Sequence, residues 1–288
     1  MKIAMTGYSG FIGTKLEKLL IRKGNEVVHI NRILLKKEKE SELTGLISGC
    51  DAVINLAGAT INQRWTKANK KEIIDSRIET TRQLVNAIDK STKRPRIFIS
   101  ASAVGIYPFD VVADESYPHH GHNFLSFVCS KWEEEAQKTN KGVRLAIVRF
   151  GVVLGREGGA LPQMTPPFRY YLGARIGSGK QGFPWIHIAD ATNAIHYILQ
   201  SPHISGIVNI TAPEPTTNAQ FTNTLAEVLR KPALFVIPRF VLKLLLGERE
   251  IMITRGQQVT PAKLTENGFL FRFPRLKDAL QNLITGRP

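Results

Sequence analysis

The apolar positions in the first half of the chain fall into short continuous runs separated by longer amphipathic stretches. Residues 2–6, 26–30, 52–56, 96–101 and 144–150 read as five strands. Their apolar character is unbroken rather than alternating, as expected of strands covered on both faces. Between them, residues 10–22 place Ile12, Leu16, Leu19 and Leu20 on one helical face. Residues 67–91 do the same with Ile73, Ile78, Leu84, Val85 and Ile88, and residues 123–139 form a third helix. Strands alternating with helices predict βαβ units around a parallel sheet: an α/β, doubly wound fold of the Rossmann type.

Beyond Gly151 the pattern changes. Residues 155–187 are rich in glycine, proline and aromatics and read as a capping loop region on the substrate side. Residues 188–200 return to helix, 207–210 to strand, and 216–230 to a helix stopped by Pro232. A short strand, an apolar helix over 239–246 and a last helix near 274–284 complete a small α+β lobe. The expected division is a Rossmann domain over 1–230 and a small C-terminal domain over 231–288. The apolar run 241–246 is too short to span a bilayer and reads as a buried helix.

Composition narrows the function classes. Two cysteines, Cys50 and Cys129, exclude a disulfide framework and a four-cysteine metal site. No signal peptide or membrane span is expected, so the reading is cytoplasmic, with no membrane partner. The formal net charge is +15, divided as +8 over residues 1–150 and +7 over the remainder. With no basic tail or stripe, a nucleic-acid partner is not expected. The mixed run 36–40 reads as a solvated helix face.

The strongest local motif is Thr6-Gly7-Tyr8-Ser9-Gly10-Phe11-Ile12-Gly13, between the first strand and the first helix. In this context Gly7 permits a tight turn, Gly10 lets backbone approach a pyrophosphate, and Gly13 lets helix and strand pack closely. The simpler alternative is a plain strand-to-helix turn. The second strand runs into Asn31-Arg32, with no acid from Val27 to Lys37 to take adenosine ribose hydroxyls. Arg32, with Lys36 or Lys37, therefore points to the 2′-phosphate of NADP(H), unless Arg32 is merely a surface residue. Leu56, Ala57 and Gly58 are small or apolar residues at the third strand's carboxyl end, where a cofactor can cross the sheet. Asp51 reads as a turn residue.

These motifs, with Ser100-Ala-Ser102-Ala-Val-Gly-Ile-Tyr107, resemble the extended and atypical short-chain dehydrogenase/reductases, the class of nucleotide-sugar epimerases. The second half narrows the resemblance. Arg149-Phe-Gly-Val-Val-Leu-Gly155, Gly177-Ser-Gly179-Lys-Gln181, Trp185-Ile-His-Ile-Ala-Asp190 and Asn209-Ile-Thr-Ala-Pro-Glu-Pro215 are similar to one branch. It is the epimerase-family branch that ends in the DUF1731 domain. Essentially the whole chain is covered. The resemblance implies an NADP(H)-dependent oxidoreductase or epimerase, with Ser100, Arg77 and the backbone at Val153 near the cofactor. It also implies Ser102 and Lys131 as members of a Ser-Tyr-Lys catalytic set. The tyrosine position, four residues before Lys131, is Phe127, and a phenyl ring cannot transfer a proton.

Three readings stay open: an enzyme whose acid has moved to Tyr107, Tyr117 or His187, a reaction needing no such acid, or an NADP(H)-binding regulator or scaffold without turnover. Lys131 is alternatively an exposed helix lysine, and Arg77 alternatively pairs with Glu72, Asp75 or Glu79 on its own helix. On the substrate side, Arg169, Arg175 and Lys180 favour an anionic small molecule such as a nucleotide sugar, with Phe183, Trp185 and the 177–179 loop shaping the pocket. A solvated basic face explains the same residues. Asp190 reads as an N-cap and His187 as a structural histidine. His119, His120 and His122 share a loop without the carboxylate or thiol partners of a metal site, so none is expected. A homodimer remains open.

Overall fold

A computed structural model describes residues 1–286. In chain order its elements are β1 (Lys2–Thr6), α1 (Phe11–Arg22), β2 (Glu26–His29), α2 (Glu40–Ser48), β3 (Ala52–Asn55), α3 (Lys67–Lys90), β4 (Ile97–Ala103), β5 (Val112–Ala113), α4 (Phe124–Ala136), β6 (Arg144–Phe150) and β7 (Val152–Leu154). They continue with α5 (Leu161–Arg169), β8 (Ala174–Ile176), β9 (Trp185–His187), α6 (Ile188–Gln200), β10 (Gly206–Ile210), α7 (Asn218–Leu229), β11 (Phe235–Ile237), α8 (Arg239–Leu246), α9 (Ile251–Thr254), β12 (Gln258–Val259), α10 (Ala262–Glu266) and α11 (Leu276–Thr285). The chain forms two compact units. The first holds residues 1–106, 122–149 and 192–208; the second holds 107–121, 150–191 and the residues from 209 on. These boundaries differ from the division at residue 230 expected from sequence.

The first unit is built on a six-stranded sheet in the order β2-β1-β3-β4-β6-β10. Its ladders among β2, β1, β3 and β4 are parallel, with Ile3 opposite Val27 and Ala52, and Val53 opposite Phe98. Strand order reverses between β1 and β3, which makes the carboxyl ends of these strands a topological switch point where open α/β sheets take ligands. Every residue of β3 is buried, as are Ile3 to Thr6 of β1. Leu43, Ile47, Leu84, Ile88 and Ala136 from α2, α3 and α4 close over Ala4, Val53 and Phe98. The continuous apolar strands follow from this covering. Helix α2 was absent from the sequence reading, which assigned only the charged run before it; two buried side chains, Leu43 and Ile47, hold it down.

The second unit contains three short parallel ladders: β7 with β9, β8 with β11, and β5 with β12. Helix α7 starts at a capping box between Thr217 and Gln220 and packs against α5 and α11. Three expectations are corrected here. The segment 155–187 is not a loop throughout: it folds into α5, β8 and β9, with Leu161, Thr165 and Phe168 buried on α5. Pro162, Pro166 and Pro167 had hidden this helix, and its packing overrides their poor propensity. Helix α8 is not a buried helix: Leu242 is its one buried residue, Val241 and Leu246 are half-buried, and the other five are exposed. Asp190 does not cap α6; its carboxylate lies inside that helix's first turn and accepts the backbone N–H groups of Arg272 and Phe273, both at 2.8 Å.

Candidate functional site

The glycine loop of the first unit is shaped by two close approaches. Gly7 has φ +67°, and a Cβ there would lie 2.6 Å from the Leu56 carbonyl carbon and oxygen. A Cβ on Gly13 would lie 2.0 Å from the Gly7 carbonyl oxygen, so α1 can sit this close to β1 only with glycine there. Gly10 is the N-cap of α1 and supplies no side-chain cap, and the first turn carries no acid. The N–H groups and positive dipole end of α1 are thus left for an anion. The ring of Tyr8 stacks on His29 at the end of β2, with centroids 3.8 Å apart, and His29 Nε2 lies 2.6 Å from Glu17 Oε1. Asn31 folds the next turn by accepting the N–H groups of Ile33 and Leu34, leaving Arg32 exposed.

At the switch point a buried polar chain that the sequence reading missed ties four elements together. Thr6 Oγ1 donates to Asn55 Oδ1 at 2.7 Å, Asn55 Nδ2 donates to Thr81 Oγ1 at 2.9 Å, and the Trp132 indole N–H donates to the same Thr81 oxygen at 2.9 Å. Thr6 Oγ1 also receives the N–H of Leu56 at 3.2 Å and of Ala57 at 3.3 Å, which fixes the backbone after β3. A lone asparagine closing an apolar strand was the available signal.

Arg77 lies beside this chain. Its guanidinium donates to the Ile73 carbonyl at 3.0 Å, sits 5.2 Å from the Trp132 ring centroid, and packs against Gly58, where a Cβ would meet Cζ at 3.0 Å. Among the described residues no carboxylate pairs with it. Asp75 is taken by Lys71, and Glu79 by Arg82. Burial lowers its pKa from the usual arginine value.

The expected catalytic set is arranged unexpectedly. Ser102 is buried on β4 and donates to Glu133 Oε1 at 2.6 Å. Glu133 is gripped by Arg149 through Nε at 2.8 Å and Nη2 at 2.7 Å, all within the interior. Sequence reading missed Glu133; the signal was a charged Arg149 at the end of an apolar strand, which needs a buried counter-charge. Lys131 pairs with Glu134 at 2.7 Å on the half-exposed side of α4, and Phe127 is 49 % exposed. Burial raises the thiol pKa of Cys129 to about 11, so it stays protonated. The Ser100 hydroxyl, on β4 opposite Asn55, is buried without a hydrogen-bond partner among the described residues.

The relocated acids expected from sequence lie in the second unit. Tyr107 is fully buried and donates to Asn209 Oδ1 at 3.0 Å, so it is a packed core tyrosine rather than an exposed acid. Tyr117 packs edge-on against Tyr107 and His119. His187 is buried, accepts the N–H of Ala189, and lies 3.2 Å from Asn282; burial drives its pKa down to about 4, which keeps the imidazole neutral. The Val153 carbonyl accepts the N–H of Ala160 at 3.1 Å. Lys180, Ser178 and Gln181 line a cleft with Asp110, Thr254 and Arg255, in which Arg255 pairs with Asp110 at 3.0 Å. Arg169 and Arg175 are exposed. Among the described residues, no cluster of histidine, cysteine and carboxylates suits a metal ion, and no helix is long and apolar enough to cross a membrane.

Comparison with known proteins matches this architecture. Residues 3–211 match the family described as NAD dependent epimerase/dehydratase, and residues 237–283 match the domain of unknown function DUF1731. A chloroplastic homolog of epimerase family protein SDR39U1 from Arabidopsis thaliana is 39% identical over 99% of this chain and 87% of its own length. Epimerase family protein YfhF of Bacillus subtilis is 38% identical, covering 100% of this chain and 99% of its own. The crystal structure of human epimerase family protein SDR39U1 with NADPH superposes with a TM-score of 0.92 at 37% identity, over the whole of both chains. A nucleoside-diphosphate sugar epimerase from Corynebacterium glutamicum superposes at 0.79 with 29% identity, over 99% of this chain and 58% of its own. The glycine loop, the switch point and these matches place the chain in the NAD dependent epimerase/dehydratase family, in the branch that carries a C-terminal DUF1731 domain.

Proposed function

We propose that this chain binds NADP(H) in its first unit and acts on an anionic small molecule, a carbonyl compound or a nucleotide sugar. One observation carries the cofactor reading: α1 begins at a glycine cradle with no side-chain cap and no acid in its first turn. Three further features fit the group. Arg32 is exposed just past β2, Arg77 is a partly buried cation without a carboxylate, and Ser100 is a buried hydroxyl lacking a partner. The backbone of Gly7 to Gly13 would hold the pyrophosphate, Arg32 the 2′-phosphate, and Arg77 with Leu56, Ala57 and Gly58 the ribose side of the switch point. A bound nicotinamide supplies or accepts hydride. NADPH in the human relative supports the same choice.

The test is calorimetric titration with NADPH and NADH. NADPH is expected to bind more tightly, and Arg32→Asp to remove about 10- to 100-fold of that preference, the worth of a charge-assisted contact. Equal affinity for both nucleotides in the native chain overturns the assignment.

A second reading, an NADP(H)-binding regulator without turnover, is favoured by the engaged catalytic set. Ser102 is committed to Glu133, Lys131 to Glu134, and Phe127 has no proton to give. Consumption of NADPH with any member of a carbonyl and nucleotide-sugar panel decides for the enzyme. In that panel Phe127→Tyr separates a disabled site from an absent one, since activity appears only where the remaining groups are in place.

A further inference from the structure

The second unit carries an apolar face that the site does not use. Phe240, Leu244 and Leu245 on α8, Leu234 just before β11, and Tyr170 are between 72 and 86 % exposed. Leu234 and the 170–172 turn adjoin one another, and α8 continues the chain from the other end of β11. Strand β11 pairs in register with β8, Phe235 opposite Ala174, which places the 170–172 turn beside it. Lys231 Nζ lies 3.8 Å from the Tyr171 ring centroid, and α8 follows β11 after Pro238 alone. Helix α8 packs mainly against the turn that follows it, and Leu242 is its one buried residue. Monomeric proteins rarely leave so much contiguous large apolar surface in water without a use for it.

Charge decides what covers it. Arg239 and Lys243 flank the i,i+4 pair Phe240 and Leu244. Arg230 and Lys231 lie just before β11 in sequence, while Arg239 is held by Glu250 at 2.8 Å and Arg255 by Asp110 at 3.0 Å, which leaves Arg230, Lys231 and Lys243 without an ion pair among the described residues. Opposing this face to a second copy would set cations against cations, which costs free energy. Pro232 and Pro238 bracket β11 and leave little room to extend it by adding a strand. Leucine, phenylalanine and tyrosine ringed by lysine and arginine match the boundary layer of a negatively charged bilayer.

We propose that this face, formed by residues 170–172, β11 and the outward side of α8, docks peripherally on an anionic lipid surface. The contact is interfacial, with Phe240, Leu244 and Leu245 entering the headgroup and acyl boundary and Arg239 and Lys243 among the headgroups. The sequence reading made residues 241–246 a buried helix; in the fold Leu242 is buried, while Lys243, Leu244 and Leu245 face water.

The experiment is co-sedimentation of the full chain with vesicles of phosphatidylglycerol and phosphatidylcholine in roughly equal amounts, compared with phosphatidylcholine alone. The protein is expected to pellet with the anionic vesicles at low salt, to release as salt rises, and to ignore the neutral ones. Leu244→Glu with Leu245→Glu changes only solvent-facing positions and is expected to weaken partition at least about tenfold, with circular dichroism and thermal midpoint unchanged. Lys243→Glu is expected to weaken it less, and mainly at low salt. Failure to pellet with anionic vesicles overturns the proposal, as does undiminished pelleting of the double variant. A dimer in sedimentation velocity that the double variant dissociates, with no vesicle binding, assigns the face to a second copy and likewise overturns it.

Discussion

Glu133 is the residue on which the interior of the first unit turns electrically. It is the carboxylate that both Arg149 and Ser102 address, in a space closed to water. Truncating one partner of a buried pair strands the other charge, so Glu133→Ala is expected to destabilise the fold by about 3–5 kcal/mol. Ser102→Ala removes one hydrogen bond and costs on the order of 1–2 kcal/mol. Urea denaturation of the two variants checks both figures, and equal losses would contradict the arrangement. His187 sets a pH dependence. Its folded pKa, near 4, lies below the ordinary 6.5, so the unfolded chain takes up the proton first as pH falls. Stability contributed by the neutral ring is complete above about pH 6.5 and declines toward pH 4, by on the order of 3 kcal/mol. His187→Gln is expected to flatten the denaturation midpoint over that interval. Local geometry was legible: Gly7, Gly10 and Gly13 form the strand-to-helix turn read from sequence, and Arg32 lies exposed just past β2, where the proposed function uses it. Glu133, Asn55 and Thr81 were not, because their roles depend on partners tens of positions away.

Among elements, α1 shows why a short pattern can be decisive. Its N-terminus needs a sharp turn, an uncapped end and a backbone contact of van der Waals closeness, and only glycine satisfies all three. Gly13→Ala forces α1 away from the Gly7 carbonyl, and the expected result is loss of nucleotide binding with a lowered thermal midpoint. Helix α7 is anchored differently: Thr217→Ala breaks its capping box and is expected to cost about 1 kcal/mol, read by thermal denaturation. Apolar periodicity misplaced α8 because a run of leucines announces a helix but not which side of it meets protein. It missed α5 because three prolines argue locally against a helix that tertiary packing nevertheless holds.

At the scale of the molecule, alternation of strands and helices was enough to foresee the six-stranded doubly wound sheet. How the second unit's segments interleave along the chain is set by long-range pairs: β5 with β12, β8 with β11, and Asp190 with the backbone at 272 and 273. A chain cut after residue 230 loses each of those partners and strands the buried Asp190. Such a fragment is expected to be cleaved rapidly in limited proteolysis, where the full chain resists. On the proposed cofactor and lipid assignments, part of the net charge of +15 would serve a dinucleotide, through Arg32 and Arg77, and part an anionic surface, through Lys231 and Lys243.

Trp132 joins these scales. Its indole N–H is held by Thr81, and the Arg77 guanidinium lies over its ring at the edge of the switch point. A dinucleotide settling on Arg77 would arrive within energy-transfer range of that indole, whose emission overlaps the absorption of reduced nicotinamide. With the cofactor in the proposed site, NADPH binding is expected to quench tryptophan emission, and Trp132→Phe to reduce that quenching relative to the native chain.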